Sequence, residues 1–208
     1  MPELERELSA NRSTALELRE ERHLVQEGYE FLDEKRMLLA AEILRGLERY
    51  QSERAAWLAL HGNAAALLLD AAARHGLDAL IVYPALQLEK FHIEQRTRRV
   101  LGIGIVEALA QAASADPPGG AVDPSPEARA CAAAHVGLLL DAVWLAALER
   151  NLRRLAAEYR RTERRARALE NVLMPELEQA LRFVEEQLEL YEMEENVRVH
   201  EAGSEPKE

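Results

Sequence analysis

Apolar residues recur at seven-residue intervals along two long stretches of this 208-residue chain, and no other feature limits its fold as strongly. In the first stretch, Leu18, Val25, Leu32 and Leu39 form one row. Tyr29, Arg36, Ile43, Tyr50 and Trp57 form a second. Two heptad rows offset by three or four residues make the seam of a coiled coil. The pattern predicts a helix from about Ser13 to Arg74, closed by a basic last turn and a glycine stop at Gly76. At about 1.5 Å per residue it would be on the order of 90 Å long. Gly62-Asn63 is a candidate kink.

The second stretch opens with Ser125-Pro126-Glu127: a cap, a proline at the first helical position and an acid in the first turn. It continues to near Val199. Leu148, Leu155, Thr162 and Leu169 form one row, and Leu152, Tyr159, Ala166 and Leu173 the other. Pro175 then interrupts the helix. A helix-interior proline lacks an N–H and crowds the carbonyl four residues back, here that of Asn171, at a cost of roughly 3 kcal/mol. The rows resume as Leu177, Val184, Tyr191 and Leu181, Leu188. Both Leu169–Leu177 and Leu173–Leu181 span eight residues, so one residue is inserted at the proline, where the supercoil is expected to relax without ending.

Between the stretches, "ALIVYP", "LQLEKFHIE" and "RVLGIGIVEAL" carry β-branched residues and predict two short strands as a hairpin. Gly102 and Gly104 mark a bulge or a close backbone approach. "ADPPGGAVDPSP" is a loop by composition. Neither seam can be buried alone. The expected fold is therefore mainly α: a long two-helix antiparallel coiled coil with residues 1–75 as one arm and 126–199 as the other. Residues 76–125 would be the insert and 200–208 a flexible tail. Facing residue numbers would sum to about 200 at one residue per helical step, which sets Pro175 near Gly28 and suggests that these two disfavoured residues form one joint.

Chemistry-bearing patterns are sparse. The chain has no phosphate-cradling G-x-x-x-x-G-K-[ST] loop. The six histidines lack metal-ligand spacing, and no paired nucleophile and base stands out. The single Cys131 leaves no intrachain disulfide and fits a reducing compartment. The longest apolar run, Val136 to Leu148, is broken by Asp141 and too short to span a bilayer. A net charge of −11 argues against wrapping nucleic acid. The arginines at 150, 153, 154, 160, 161, 164, 165 and 167 read as the outer face of the coiled coil, with a nucleic-acid interface as the competing reading.

The C-terminal "RALENVLMPELEQALRFVEEQLE" resembles a motif of the D subunits of the V-type and A-type rotary ATPases, through Leu169, Glu170, Val172 and Pro175. Arg12, Leu16, Leu18, Gly28, Leu32, Lys35 and Arg36 resemble the family's opening helix. Val100, Leu101, Gly102 and Ile103 resemble its central strand. The ends "NVRVHEAGSEPKE" and the acid-rich N-terminus depart from the family's basic pattern. The resemblance implies a non-catalytic central rotor shaft without a cofactor. Its partners would be a hexamer of A- and B-type subunits, the small F subunit of the central stalk and the component that docks on the membrane ring. The chain would be cytoplasmic and peripheral to the membrane. A free-standing coiled-coil adaptor or chaperone is the alternative.

Overall fold

The computed structural model describes residues 11–81, 91–112 and 123–203. Its elements are α1 (Arg12–His75), α2 (Leu77–Ile81), β1 (Phe91–Val100), β2 (Ile103–Ala112), α3 (Pro126–Ala168), a π-helical turn (Leu169–Leu173) and α4 (Met174–Gly203). The expected mainly α fold, with two long antiparallel helices and a central hairpin, is the one observed. Two compact units divide it: Met1–Met37 with Arg160–Glu208, and Leu38–Tyr159.

In the first unit Asn11, just before the first residue of α1, caps the helix: its Oδ1 accepts the Thr14 N–H at 2.7 Å and so satisfies an orphan donor. Its seam buries Ala15 and Leu18 against Leu177, Leu181 and Val184, with Val25, Leu173 and Leu188 packed beside them. Arg19 reaches Glu185 at 2.5 Å and Arg12 reaches Glu192 at 2.7 Å, which sets the two helices of the seam antiparallel. Burial in the C-terminal rows stops at Leu188. Tyr191, expected in the seam, is 57% exposed.

The inserted residue takes the form of the π-helical turn. The Met174 N–H donates to the Leu169 carbonyl, five residues back, instead of four. One extra residue absorbed as a widened turn is how an α-helix accepts an insertion while both flanks keep their phase. The wide turn ends just before Pro175, where a tight one would set its ring against a carbonyl. The C-terminal helix therefore runs through the proline to Gly203, and α1 runs through Gly62-Asn63.

In the second unit α1 and α3 pair again, and the hairpin packs on them. Leu39, Ile105 and Leu155 form the core, with Ile43, Val100, Leu101, Ile103 and Tyr159 around it. Trp57 donates its indole N–H to the Leu138 carbonyl at 3.0 Å, so this large seam residue meets its polar need across the pair. The stretch Leu77–Ile81 is helical, which corrects the strand reading of Ala79–Ile81: Asp78 sits in its first turn, after Gly76 (φ +77) has ended α1. Leu86 and Leu88 lie outside the described residues, as does most of the proline-rich loop.

The strands pair antiparallel from Phe91↔Ala112 to Val100↔Ile103. Leu101 (φ 52) and Gly102 (φ 82) both lie in the left-handed region, the mark of a type I′ turn. Gly102 is thus a turn residue rather than a bulge. Leucine pays about 1–2 kcal/mol for this conformation, and its packing on the Leu39 core offsets that cost.

Candidate functional sites on the paired helices

Three places bring polar side chains together. The first is the dock of the hairpin on α3. Asn151 is 7% exposed. Its Oδ1 accepts the Val106 N–H at 2.9 Å, and its Nδ2 donates to the Val106 carbonyl at 2.7 Å. The side-chain amide thus imitates a neighbouring strand. Three residues along α3, Arg154 Nη1 donates to the Gly104 carbonyl at 2.8 Å. A Cβ on Gly104 would stand 3.8 Å from the same nitrogen, in ordinary contact, so the carbonyl rather than the missing side chain is what Arg154 uses. The outer edge of β2, which would otherwise expose unpaired amides, is sealed by α3. Arg154 is therefore turned inward to the hairpin and not part of an outer basic face, whereas Arg153 and Arg167 pair on the surface with Glu149 and Glu163. A cleft of about 160 Å³ beside the dock is lined by Arg45, Arg49, Arg98, Trp144 and Asn151, with the Arg49 guanidinium 4.7 Å over the Trp144 ring.

The second place joins the end of α1 to the start of α3. Ser125 Oγ accepts the Ala128 N–H at 3.1 Å, the expected helix cap. His75 Nε2 lies 2.6 Å from the same Oγ, and His75 Nδ1 lies 3.5 Å from Asp123 Oδ2. No sequence motif marks this serine–histidine–aspartate order, because the histidine is 50 residues from the serine in the chain. The His75 side chain is 4% exposed and Ser125 is 1% exposed. Attack on a substrate needs an approach path and donors for the developing oxyanion. Here the hydroxyl is enclosed and already serves the cap, so the trio works as a latch between the helices.

Glu127 reinforces the latch through Arg74 at 3.2 Å. Its own backbone N–H, and then Arg74, hold its carboxyl below the usual carboxylate range despite desolvation. A carboxyl with a lowered folded value stabilises the fold fully above its ordinary value. That contribution disappears as pH falls through the lower, folded value. Glu127→Gln is therefore expected to flatten the acid limb of the stability curve below the ordinary carboxylate value and to leave its slope at neutral pH unchanged. Thermal melting against pH checks this.

The third place is the π-helical turn. Glu170 lies beside Tyr29 and raises the pKa of its hydroxyl, with smaller help from desolvation and Asp33. A Cβ on Gly28 would meet Leu169 Cδ1 at 3.6 Å, ordinary contact. Gly28 thus faces the first residue of the turn. Val172 points outward at 53% exposure. A Cβ on Gly46, in the other unit, would come within 2.9 Å of Leu152 Cδ2. Gly28→Ala is expected to gain up to about 1 kcal/mol from helix propensity. Gly46→Ala should lose that gain to the forced shift of Leu152. Paired urea melts separate the two.

The geometry defines a class: an antiparallel two-helix coiled coil whose hairpin insert is docked by side chains of the second helix. The model of the ATP synthase D-subunit family matches residues 14–202, and the chain belongs to that family. The D subunit of the A-type ATP synthase of Methanoregula boonei is 26% identical over 197 residues, covering 93% of this chain and 94% of the relative. That of Methanopyrus kandleri is 27% identical over 199 residues, covering 95% and 86%. That of Thermococcus kodakarensis is 36% identical over 105 residues, covering 49% of each chain. Membership places the chain in a rotary ATPase complex as an accessory component.

Proposed function

We propose that this chain is the central-stalk rotor of its ATPase, passing torque between a hexamer of A- and B-type subunits and the membrane ion-translocating ring. The observation that carries the reading is the antiparallel pairing of α1 in both units. Ion pairs and packing tie it to the C-terminal helix from Arg12–Glu192 to Arg74–Glu127. A torsion element needs two helices that cannot slip, and the inserted turn, the hairpin dock and the His75 latch each fix the register.

The outward residues support partners on several sides. Leu24 and Phe31 are each 66% exposed on α1, one heptad apart. They offer apolar contacts of the kind a surrounding hexamer would need. Leu69 and Leu77, 72% and 71% exposed, do the same near the insert, where the small F subunit and the ring-docking component would bind. Windows within Arg12–His75 and Pro126–His200 are apolar enough to cross a membrane by length and composition alone. In the proposed reading they meet protein, and the chain stays peripheral, on the cytoplasmic side. Gly28 and Pro175 act as one joint: Leu169 fills the space beside Gly28, and the widened turn accommodates the proline. That joint would present a bent face to the hexamer.

Reconstitution tests the reading. Complexes assembled without the chain should hydrolyse ATP without pumping ions, and adding it back should restore coupling. Full ion pumping in its absence would contradict the proposal.

A further inference from the structure

The two edges of the hairpin are treated differently by the fold. In the Thr97↔Val106 pair, both backbone groups of Val106 are taken by Asn151. Those groups therefore point away from β1. In an antiparallel ladder the partner residue of such a pair also points outward, and the pattern repeats every second residue. The N–H and C=O groups of Ile93, Gln95, Thr97 and Arg99 accordingly face out from the far edge of β1. The Gly104 carbonyl taken by Arg154, opposite Arg99, agrees with this phase. Among the described residues nothing bonds to these groups. Every residue from His92 to Arg99 is exposed, while Ile105, Val106 and Ala108 on β2 are buried.

We infer that the outer edge of β1 is a docking site for an extended acidic segment of a partner protein, which adds to the hairpin as a third strand. An open edge of ten residues offers main-chain hydrogen bonds to any strand. Its side chains choose the partner. In a chain of net charge −11, β1 carries Arg96, Arg98 and Arg99 against one acid, Glu94. Opposite charges across neighbouring strands attract and like charges repel. Two copies of this chain are poor partners, because the central antiparallel registers set Arg96 against Arg96 or Arg98. The Arg98–Glu107 pair at 3.2 Å already shows an acid satisfying this strand from the β2 side.

The probe is a labelled ten-residue peptide alternating threonine and glutamate, added to the full ¹⁵N-labelled chain. Saturable binding is expected, with slowed amide exchange at Ile93, Gln95, Thr97 and Arg99 but not at the residues between them. Replacing the glutamates by lysine, or N-methylating alternate peptide residues, should weaken binding at least about tenfold. Thr97→Pro removes an outward N–H and places a ring on the edge without touching the β1–β2 ladder, and it should abolish binding. Arg96→Glu with Arg99→Glu gives a second arm should the proline variant melt early, with at least about tenfold weakening expected. Absence of binding, equal binding of the lysine peptide, or shifts without the alternating protection would overturn the inference. So would dimerisation of the chain through β1. Were no strand to bind the edge, the arginines would serve only to keep it from aggregating.

Discussion

Asn151→Ala is expected to destabilise the second unit by about 2–5 kcal/mol. The truncation orphans both the N–H and the C=O of Val106, and each unsatisfied buried group costs roughly 1–3 kcal/mol. Asn151 itself is 7% exposed, so water has little access to the dock. Urea denaturation gives the magnitude. Amide exchange locates it: Ile105 to Ala108 should lose protection first, while the Ala15–Val184 cluster of the first unit keeps its own. Arg154→Ala should do less, because it frees one carbonyl and Arg154 is only partly buried. A stability change below about 0.5 kcal/mol for Asn151→Ala, the range of ordinary surface substitutions, would mean that the amide is not what holds the hairpin.

The second large effect concerns the π-helical turn. Deleting Glu176 should restore regular α-helix, because Leu169 and Leu173 would then lie seven residues before Leu177 and Leu181, the leucines that follow them in their rows. The seam stays in phase. Pro175, however, would enter an α-helical interior at a cost of roughly 3 kcal/mol. Deletion alone is therefore expected to be costly, and deletion combined with Pro175→Ala to recover most of the loss. Pro175→Ala alone should change stability little, since the extra residue still has to be absorbed. Chemical melts of the three variants close the cycle. Additive losses in the double variant would show that the turn and the proline are unconnected.

The heptad rows and the eight-residue step at Pro175 were legible because both are periodic, and periodicity reports which face is buried. Leu18, Leu39, Leu155, Ala166, Leu177 and Val184 are all buried as their rows require. The hairpin was legible in part. Its second strand is apolar and buries Ile105, Val106 and Ala108, but Glu94 to Arg99 of the first strand is exposed on both faces, so no apolar alternation marks it as a strand. The turn lacked the usual Asn-Gly signal, because Leu101 is held there by the Leu39 core rather than by a local preference. Asn151, Arg154 and the His75–Ser125 latch were not legible at all. Each is a single polar residue whose meaning depends on a partner 45–50 residues away. Arg154 in particular was hidden in a run of arginines that otherwise reads as a solvated face.

Reversible cross-linking tests the rotor reading most directly. Glu186 is exposed in the first unit, so Glu186→Cys in a Cys131→Ser background offers a single thiol. The matching cysteine would sit on the inner wall of the surrounding hexamer. Oxidation is expected to join the two and to stop ATP hydrolysis by the whole complex, and reduction to restore it. Full hydrolysis with the cross-link formed would contradict the rotor role, since a shaft that turns with catalysis cannot be tied to its bearing.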